Sequence, residues 1–487
     1  MADAPSKGRR PAPRGSAPRS SSSRSSAPRS GVPRSGAPRS SGPRLEIDVP
    51  RLAAYEVLKA VRVDGAYANL VLPAVIRHFK LEARDAAFTT ELASGTLRMR
   101  GTYDAIITAC ADRPLRKIED KVLDAIRLGA HQLLSMRVPD HAAISTTVSL
   151  VRTKGTSGAG NFANAVLRRV SEHDLDEWIE LVAPRKSPSR YAAVAFSHPV
   201  WIVDELRKSV GEAELHAALA ADNLPPRVTL VARPGQATVA ELPGTPTPYS
   251  PYGVVLEGGD PGAIPAVAEG RAGVQDEGSQ LVAAVLAAAP LDGPDEHWLD
   301  LCAGPGGKAA LLAALADERG AGLLAIERQH HRSRLVAGAL AGSPGVSGVV
   351  TADGAAPPLR PGFFDRVLVD APCTGLGALR RRPEARWRRK ADDLFTLVLL
   401  QRALIDSAID VTRAGGLVLY ATCSPVRAET DDVVTSVLRQ RPDVVLEDAR
   451  ALLPQVPDCD GHLPGTVQLW PHRHGTDAMF MALFRRV

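Results

Sequence analysis

The chain has 487 residues, 45% of them hydrophobic but only 4% aromatic, and a formal charge of +5. That length exceeds what one core supports, so two to four domains are expected, with cores built from Ala, Val and Leu. The longest apolar run, Leu281 to Leu291, is too short for a bilayer span, and the N-terminus has no apolar stretch that would predict a secretory signal. Five scattered cysteines argue against a disulfide framework and for a reducing, cytoplasmic setting.

Residues 1–44 hold ten basic groups against one acid, Asp3, so this segment carries +9 and the rest of the chain −4. It repeats an arginine every five residues from Arg14 to Arg44, in units such as Ser-Ala-Pro-Arg and Gly-Val-Pro-Arg, and has almost no large apolar side chains, which predicts a disordered tail over residues 1–47. A polyanion-binding arm adding non-specific RNA affinity and a merely solubilising extension both fit such a composition.

Residues 48–183 read as helical throughout. Leu52, Tyr55, Val57 and Leu58 open one amphipathic face, Ile118, Val122, Leu123, Ile126 and Leu128 mark another, and further helices fit Ala142–Val151 and Asn161–Val170. Short Gly- or Pro-containing breaks make this a helical bundle. The run Ser187 to Tyr191 reads as a linker into a small α/β connector domain, residues 184–273. Its expected helices are Val200–Lys208 and Glu212–Ala221, and its strand is Arg227–Ala232.

Over residues 274–487 strands and helices alternate. The strands are His297–Cys302, Gly322–Ile326, Gly348–Thr351, Arg366–Val369 and Leu417–Ala421; the helices are Gly307–Ala316, His330–Leu340, Asp392–Val411 and Ala428–Arg439. This rhythm predicts an open, largely parallel, Rossmann-like sheet whose ligands sit at the carboxyl ends of strands.

After the first of these strands comes Leu301-Cys-Ala-Gly-Pro-Gly-Gly-Lys308. Its glycines allow a tight turn into a helix N-terminus, yet it matches neither a Walker A motif nor G-x-G-x-x-G. Glu327 closes the next strand and Asp353 follows the one after. An acid there suits a ribose diol, and the three strand ends together suit a nucleoside without a pyrophosphate, S-adenosylmethionine rather than NAD.

Two cysteines stand at strand ends on the same edge, Cys373 in Asp370-Ala-Pro-Cys373-Thr-Gly and Cys423 in Leu419-Tyr-Ala-Thr-Cys423-Ser-Pro. Most lone cysteines are packing residues, but these lie beside Pro, Thr, Ser or Gly, where a thiolate can act as a nucleophile. Methylation of a pyrimidine C5 needs such a thiolate, because that carbon becomes nucleophilic only after addition at C6. Position alone does not rank the two cysteines.

These motifs, with Leu299-Asp-Leu-Cys-Ala-Gly-Pro-Gly-Gly-Lys308, closely resemble the RNA cytosine-C5 methyltransferases. The helical half resembles the antitermination factor NusB, in His131-Gln-Leu-Leu and Asn161-Phe-Ala-Asn-Ala-Val-Leu-Arg168. The combination is similar to the RsmB (Sun/Fmu) family of small-subunit (16S) rRNA methyltransferases over roughly residues 48–487. The resemblance implies that Cys423 is the nucleophile and that Cys373 helps release the product. It also implies a cofactor pocket of Cys302, Ala303, Gly304, Pro305, Gly306, Gly307, Lys308, Glu327, Asp353 and Asp370, with Asp370 and Lys308 also facing the target cytosine. Gly304 stands where Ala is common in the family, and Glu327 where Asp is common.

Arg380, Arg381, Arg382, Arg386, Trp387, Arg388 and Arg389 follow Cys373, and this mix of guanidinium groups with an aromatic ring predicts phosphate contacts and stacking on an unpaired or flipped base. Cys459, His462, His472 and His474 match no zinc spacing and read as a surface loop, so no metal is expected. Cys110 and Cys302 read as packing cysteines, and Asp300 as a brace for the glycine loop. Three readings remain open: methylation of small-subunit rRNA, the same chemistry on tRNA or 23S rRNA, and a non-catalytic RNA-binding or antitermination protein.

Overall fold

The computed structural model describes residues 48–487, so the basic tail expected over residues 1–47 lies outside the described residues. Residues 49–182 form eight helices, from Val49–Val63 to Leu175–Val182. Their apolar faces meet in one core that includes Leu58, Leu92, Ile106, Ile126 and Leu167. At its centre the Tyr103 hydroxyl lies 2.8 Å from both His131 Nδ1 and Ser135 Oγ, so the buried phenol is satisfied.

The expected linker at Ser187–Tyr191 is instead the start of a helix, Pro188–Ala195. Ser187 sits extended at the N-cap and Pro188 takes the first helical position, where its fixed φ is already suitable and its missing N–H costs nothing. The helical stretch Val200–Ala221 follows. It is broken at Gly211 (φ 76°), as the two separate expected helices require. Both stretches share a core with Leu376, Leu379, Val426 and Trp470, so they pack against the segments that follow Cys373 and Cys423.

A four-stranded antiparallel sheet comes next: β1 (Thr229–Ala232), β2 (Thr245–Pro246), β3 (Gly253–Val255) and β4 (Ala272–Val274), in the order β2-β3-β1-β4. The last sheet holds β5 (His297–Asp300), β6 (Gly322–Glu327), β7 (Val346–Thr351), β8 (Phe364–Asp370), β9 (Thr412–Thr422), β10 (Val444–Glu447), β11 (Val467–Gln468) and β12 (Phe480–Arg486). Its order is β10-β12-β9-β8-β5-β6-β7, with β11 paired to β12. Strands β5 to β9 are mutually parallel, and β12 runs antiparallel between β9 and β10. Successive strands step outward from β5 through β6 to β7, and the chain then returns to lay β8 on the other side of β5. That reversal opens a crevice between the carboxyl ends of β5 and β8.

His198, between the helices Pro188–Ala195 and Val200–Ala221, is fully buried, with Nε2 3.4 Å from an Asp222 oxygen. Burial, then the nearby Arg386 guanidinium, push its pKa from 6.5 down to about 4 despite Asp222. The unfolded chain therefore binds this proton more readily between those values, so stability is full above pH 6.5 and falls as pH drops toward 4, by up to about 3 kcal/mol. Thermal melts between pH 7 and 4.5 are expected to show this loss in the wild type, and a shallower slope in His198→Gln.

Candidate active site

The loop after β5 continues the sheet for two hydrogen bonds, Leu301 N–H to Leu368 O and Ala303 N–H to Ile326 O, before turning into the helix Gly307–Asp317. Gly306 has φ +113°, and a Cβ there would lie 2.6 Å from that of Ala339, so the turn admits only glycine. Asp300 braces the loop, one carboxylate oxygen accepting the Cys302 N–H at 3.2 Å. Its other oxygen, Oδ2, is buried and has no partner among the described residues. Burial first, then Asp370, push its carboxyl up to about 7. Burial likewise pushes the Cys302 thiol well up, which suits a packing cysteine and not a nucleophile.

Glu327 ends β6, and its Oε1 accepts the Gln329 N–H at 2.9 Å. A Cβ on Gly304 would stand 2.0 Å from the Glu327 Oε2. The two departures from the family pattern are thus one structural fact: the longer acid occupies the space that an alanine methyl would take. Gly304→Ala is expected to displace Glu327 and weaken S-adenosylmethionine binding about tenfold by calorimetry, and adding Glu327→Asp should recover most of it. Asp353, beyond β7, accepts the Ala355 N–H at 3.0 Å and lies 3.4 Å from Arg328.

Across the crevice, Asp370 at the end of β8 accepts a 2.9 Å hydrogen bond from Lys308 Nζ. Burial opposes the ammonium charge, but Asp370 outweighs it and the Lys308 pKa is raised. Cys373 and Cys423 meet with their sulfurs 3.5 Å apart. A backbone bond from Gly377 N–H to Cys423 O ties the two turns together. The two thiols are shifted in opposite directions. A hydrogen bond from Cys373 is the largest influence on Cys423 and lowers its pKa against burial and Asp370, with help from Lys308 and Arg382. The same bond, then burial, raises Cys373 well above a free thiol. The arrangement makes Cys423 the more readily deprotonated of the two thiols.

The residues immediately behind the pair escaped the sequence reading. Thr374, Ser424, Gln401 and Glu429 form a buried polar cluster there. The only hint in the sequence was that a hydroxyl residue follows each cysteine.

The arginine-rich segment corrects an expectation. Arg386 is fully buried, and its guanidinium donates to Ser197 O, Asn223 Oδ1, Asp222 O and Arg98 O, joining the helical half to the connector. Arg380 and Arg381 pair with Asp477, and Arg381 also with Asp276. Arg388 donates to Val61 O and Ala66 O, and Arg389 to Cys373 O and Thr374 O. Trp387 packs where a Gly101 Cβ would be, with Arg100 over its ring. Only Arg382 of the seven is exposed, and its guanidinium lies over the Tyr67 ring at 5.2 Å. These groups are held by backbone carbonyls and carboxylates because the segment is the junction of three parts of the chain. The histidine cluster is a surface loop only in part: His462 is exposed, but Cys459 and His474 are buried, and His472 and His462 bond to Glu214 and Ser209 O of the Val200–Ala221 stretch.

Residues 286–485 match the family described as 16S rRNA methyltransferase RsmB/F, and residues 48–172 match the NusB family. The chain is 50% identical over 452 residues to a Mycobacterium tuberculosis protein named as a methyltransferase, covering 91% of this chain and 98% of that one. It is 33% identical to ribosomal RNA small subunit methyltransferase B of Pseudomonas putida, over 81% of this chain and 89% of the relative. The chain belongs to the RsmB/F methyltransferase family. Its cofactor is S-adenosylmethionine, and its chemistry is that of the RNA cytosine-C5 methyltransferases. The crystal structure of PH0851 shares the fold with a TM-score of 0.74 at 22% identity, covering 90% of this chain and 98% of that one. NSun6 from Pyrococcus horikoshii matches with a TM-score of 0.50 at 19% identity, over 59% of this chain and 98% of that one.

Proposed function

We propose that this RsmB/F member methylates C5 of a cytosine in small-subunit (16S) rRNA through a covalent adduct between Cys423 and cytosine C6. The observation that carries the chemistry is the contact of Cys373 and Cys423, 3.5 Å apart, with opposite shifts in their thiol pKa values. The choice of RNA is supported by the likeness to small-subunit rRNA methyltransferases and by the NusB-family domain.

The residues of the crevice fit S-adenosylmethionine. The helix N-terminus at Gly307 and Lys308 offers N–H groups to its carboxylate, the orphaned Asp300 oxygen offers an acceptor for its ammonium, and Glu327 and Asp353 suit its ribose and adenine. The cofactor supplies an electrophilic methyl group. Cys423 attacks C6, which places electron density on C5; after methylation a water molecule takes the C5 proton, and the electrons of that C–H bond re-form the C5–C6 double bond as the C6–S bond breaks, freeing the thiolate. Cys373 supplies and recovers a proton at that sulfur. Lys308 and Asp370 hold the base by its polar edge. A target inside a duplex has to be flipped out or unpaired for this. The exposure of Arg382 supports a role for it in meeting RNA phosphate.

Among the described residues no helix is long and apolar enough to cross a membrane. That fits the cytoplasmic setting that an rRNA substrate requires. Bisulfite sequencing of rRNA and tRNA from a deletion strain tests the reading. One small-subunit cytosine is expected to lose its methyl group; an unchanged 16S profile beside a lost tRNA or 23S mark would reassign the substrate.

A further inference from the structure

Glu429 follows Cys423 by six residues, in the turn before the helix Asp431–Gln440, and is fully buried. Among the described residues no lysine or arginine pairs with it. Four donors converge on it instead. Its Oε1 accepts the Thr374 N–H at 2.8 Å and Gln401 Nε2 at 3.1 Å. Its Oε2 accepts the hydroxyls of Thr374 at 2.5 Å and Ser424 at 2.6 Å. Thr374 is the residue after Cys373 and Ser424 the residue after Cys423, so one carboxylate holds both cysteine turns. The set of partners is all donors, which suits an ionised acid. Its own turn is fixed in place, because the Tyr420 hydroxyl donates to the Glu429 carbonyl at 2.6 Å. Gln401 also donates to Pro372 O at 2.9 Å, bracing the Cys373 turn from the far side.

The geometry points to Glu429 as a positioning residue for both thiols. It clamps the two cysteine turns at sulfur contact, and its buried negative charge behind Cys373 keeps the shared proton on Cys373, leaving the thiolate on Cys423. The inference rests on the assignment of Cys423 as the nucleophile. Other charges face the pair from each neighbouring element: Lys308 from the helix after β5, Asp370 from the end of β8, Arg382 from the segment beyond Cys373, and the Arg389 guanidinium on the carbonyls of Cys373 and Thr374. Lys308 and Arg382 act on Cys423, whereas Glu429 acts on Cys373 and raises its pKa. Lys308 and Arg382 on one side and Glu429 on the other therefore polarise the pair in the same sense, against Asp370, which raises the Cys423 pKa.

Glu429→Gln separates the charge from the clamp. The amide oxygen can stay opposite the two fixed N–H donors, while its NH2 faces two hydroxyls that can rotate to accept. The full-length variant is expected to fold, to melt close to wild type and to bind S-adenosylmethionine normally. The readout is the ratio of iodoacetamide labelling at Cys423 to that at Cys373, by peptide mass spectrometry at pH 7. This ratio is expected to fall at least threefold relative to wild type, with kcat for methyl transfer falling about tenfold and KM unchanged. A folded Glu429→Gln protein with the wild-type labelling ratio overturns the proposal. If that variant does not fold, Thr374→Val, which removes one hydroxyl of the clamp without changing shape, decides the matter: an undiminished kcat overturns it, and a tenfold loss at unchanged KM supports it. Labelling needs no RNA, so a wild-type protein that fails to methylate RNA would sink the functional reading while leaving this measurement readable.

Discussion

Cys423→Ala is expected to lower methyl transfer more than about 10⁴-fold and to abolish any protein–RNA adduct, because Cys423 is the thiol of the pair whose pKa is lowered. The variant should melt within a few degrees of wild type, since one half-buried sulfur is a small loss of packing. Cys373→Ala should behave differently. The Cys423 thiolate would lose its hydrogen-bond donor but keep Lys308 and Arg382 nearby, so addition to the base would still proceed. Without a proton donor at that sulfur, release would slow and the adduct would accumulate. Single-turnover assays resolved on denaturing gels separate the two outcomes. An adduct formed by Cys423→Ala and missing from Cys373→Ala would reverse the roles.

The second large effect concerns architecture. Arg386→Ala should destabilise the protein by about 3 kcal/mol, because it strips four acceptors of their donor inside a sealed junction. The part of this cost offset by no longer burying a charge is the reason the figure is not larger; burial first, with Arg98 acting the same way and Asp222 and Glu384 against it, lowers the Arg386 pKa to about 10. Arg382→Ala, by contrast, should leave the melting temperature alone and weaken RNA binding, with a shallower dependence on salt. Melting curves and filter binding at two salt concentrations distinguish these. An Arg386→Ala protein with unchanged stability and weakened RNA binding would restore the phosphate-contact reading for that residue.

The strand ends and the loop between Leu301 and Lys308 were legible because strand, turn and helix follow one another locally and the residue types required at each turn are few. Parallel strands buried on both faces leave unbroken apolar runs such as Val367–Val369, which are hard to mistake. What was misread depended on distant partners. A run of arginines looks the same in sequence whether its guanidinium groups meet phosphate or, as with Arg386, carbonyl oxygens contributed by residues 98, 197 and 222. The Ser187–Tyr191 run has a linker's composition, and it becomes a helix because Ala192 and Ala193 find a core to enter. Strand β12 lies between β9 and β10, so its antiparallel pairing has no hairpin turn to announce it. Glu429 was invisible for the same reason: its partner Thr374 is 55 residues away, and the sequence does not show that the carboxylate is buried. The ranking of the two cysteines came first from resemblance, and the structure adds a physical basis, in the charges that surround each sulfur.

The central claim, that Cys423 forms the bond to a cytosine in RNA, is tested most directly by trapping that bond. Cys373→Ala protein, incubated with S-adenosylmethionine and small-subunit rRNA, then digested with nuclease and protease, should yield a peptide containing Cys423 with the added mass of a methylated cytidine nucleotide. A cross-link on the peptide of any other cysteine, or none under conditions where the wild type methylates the RNA, would contradict the account.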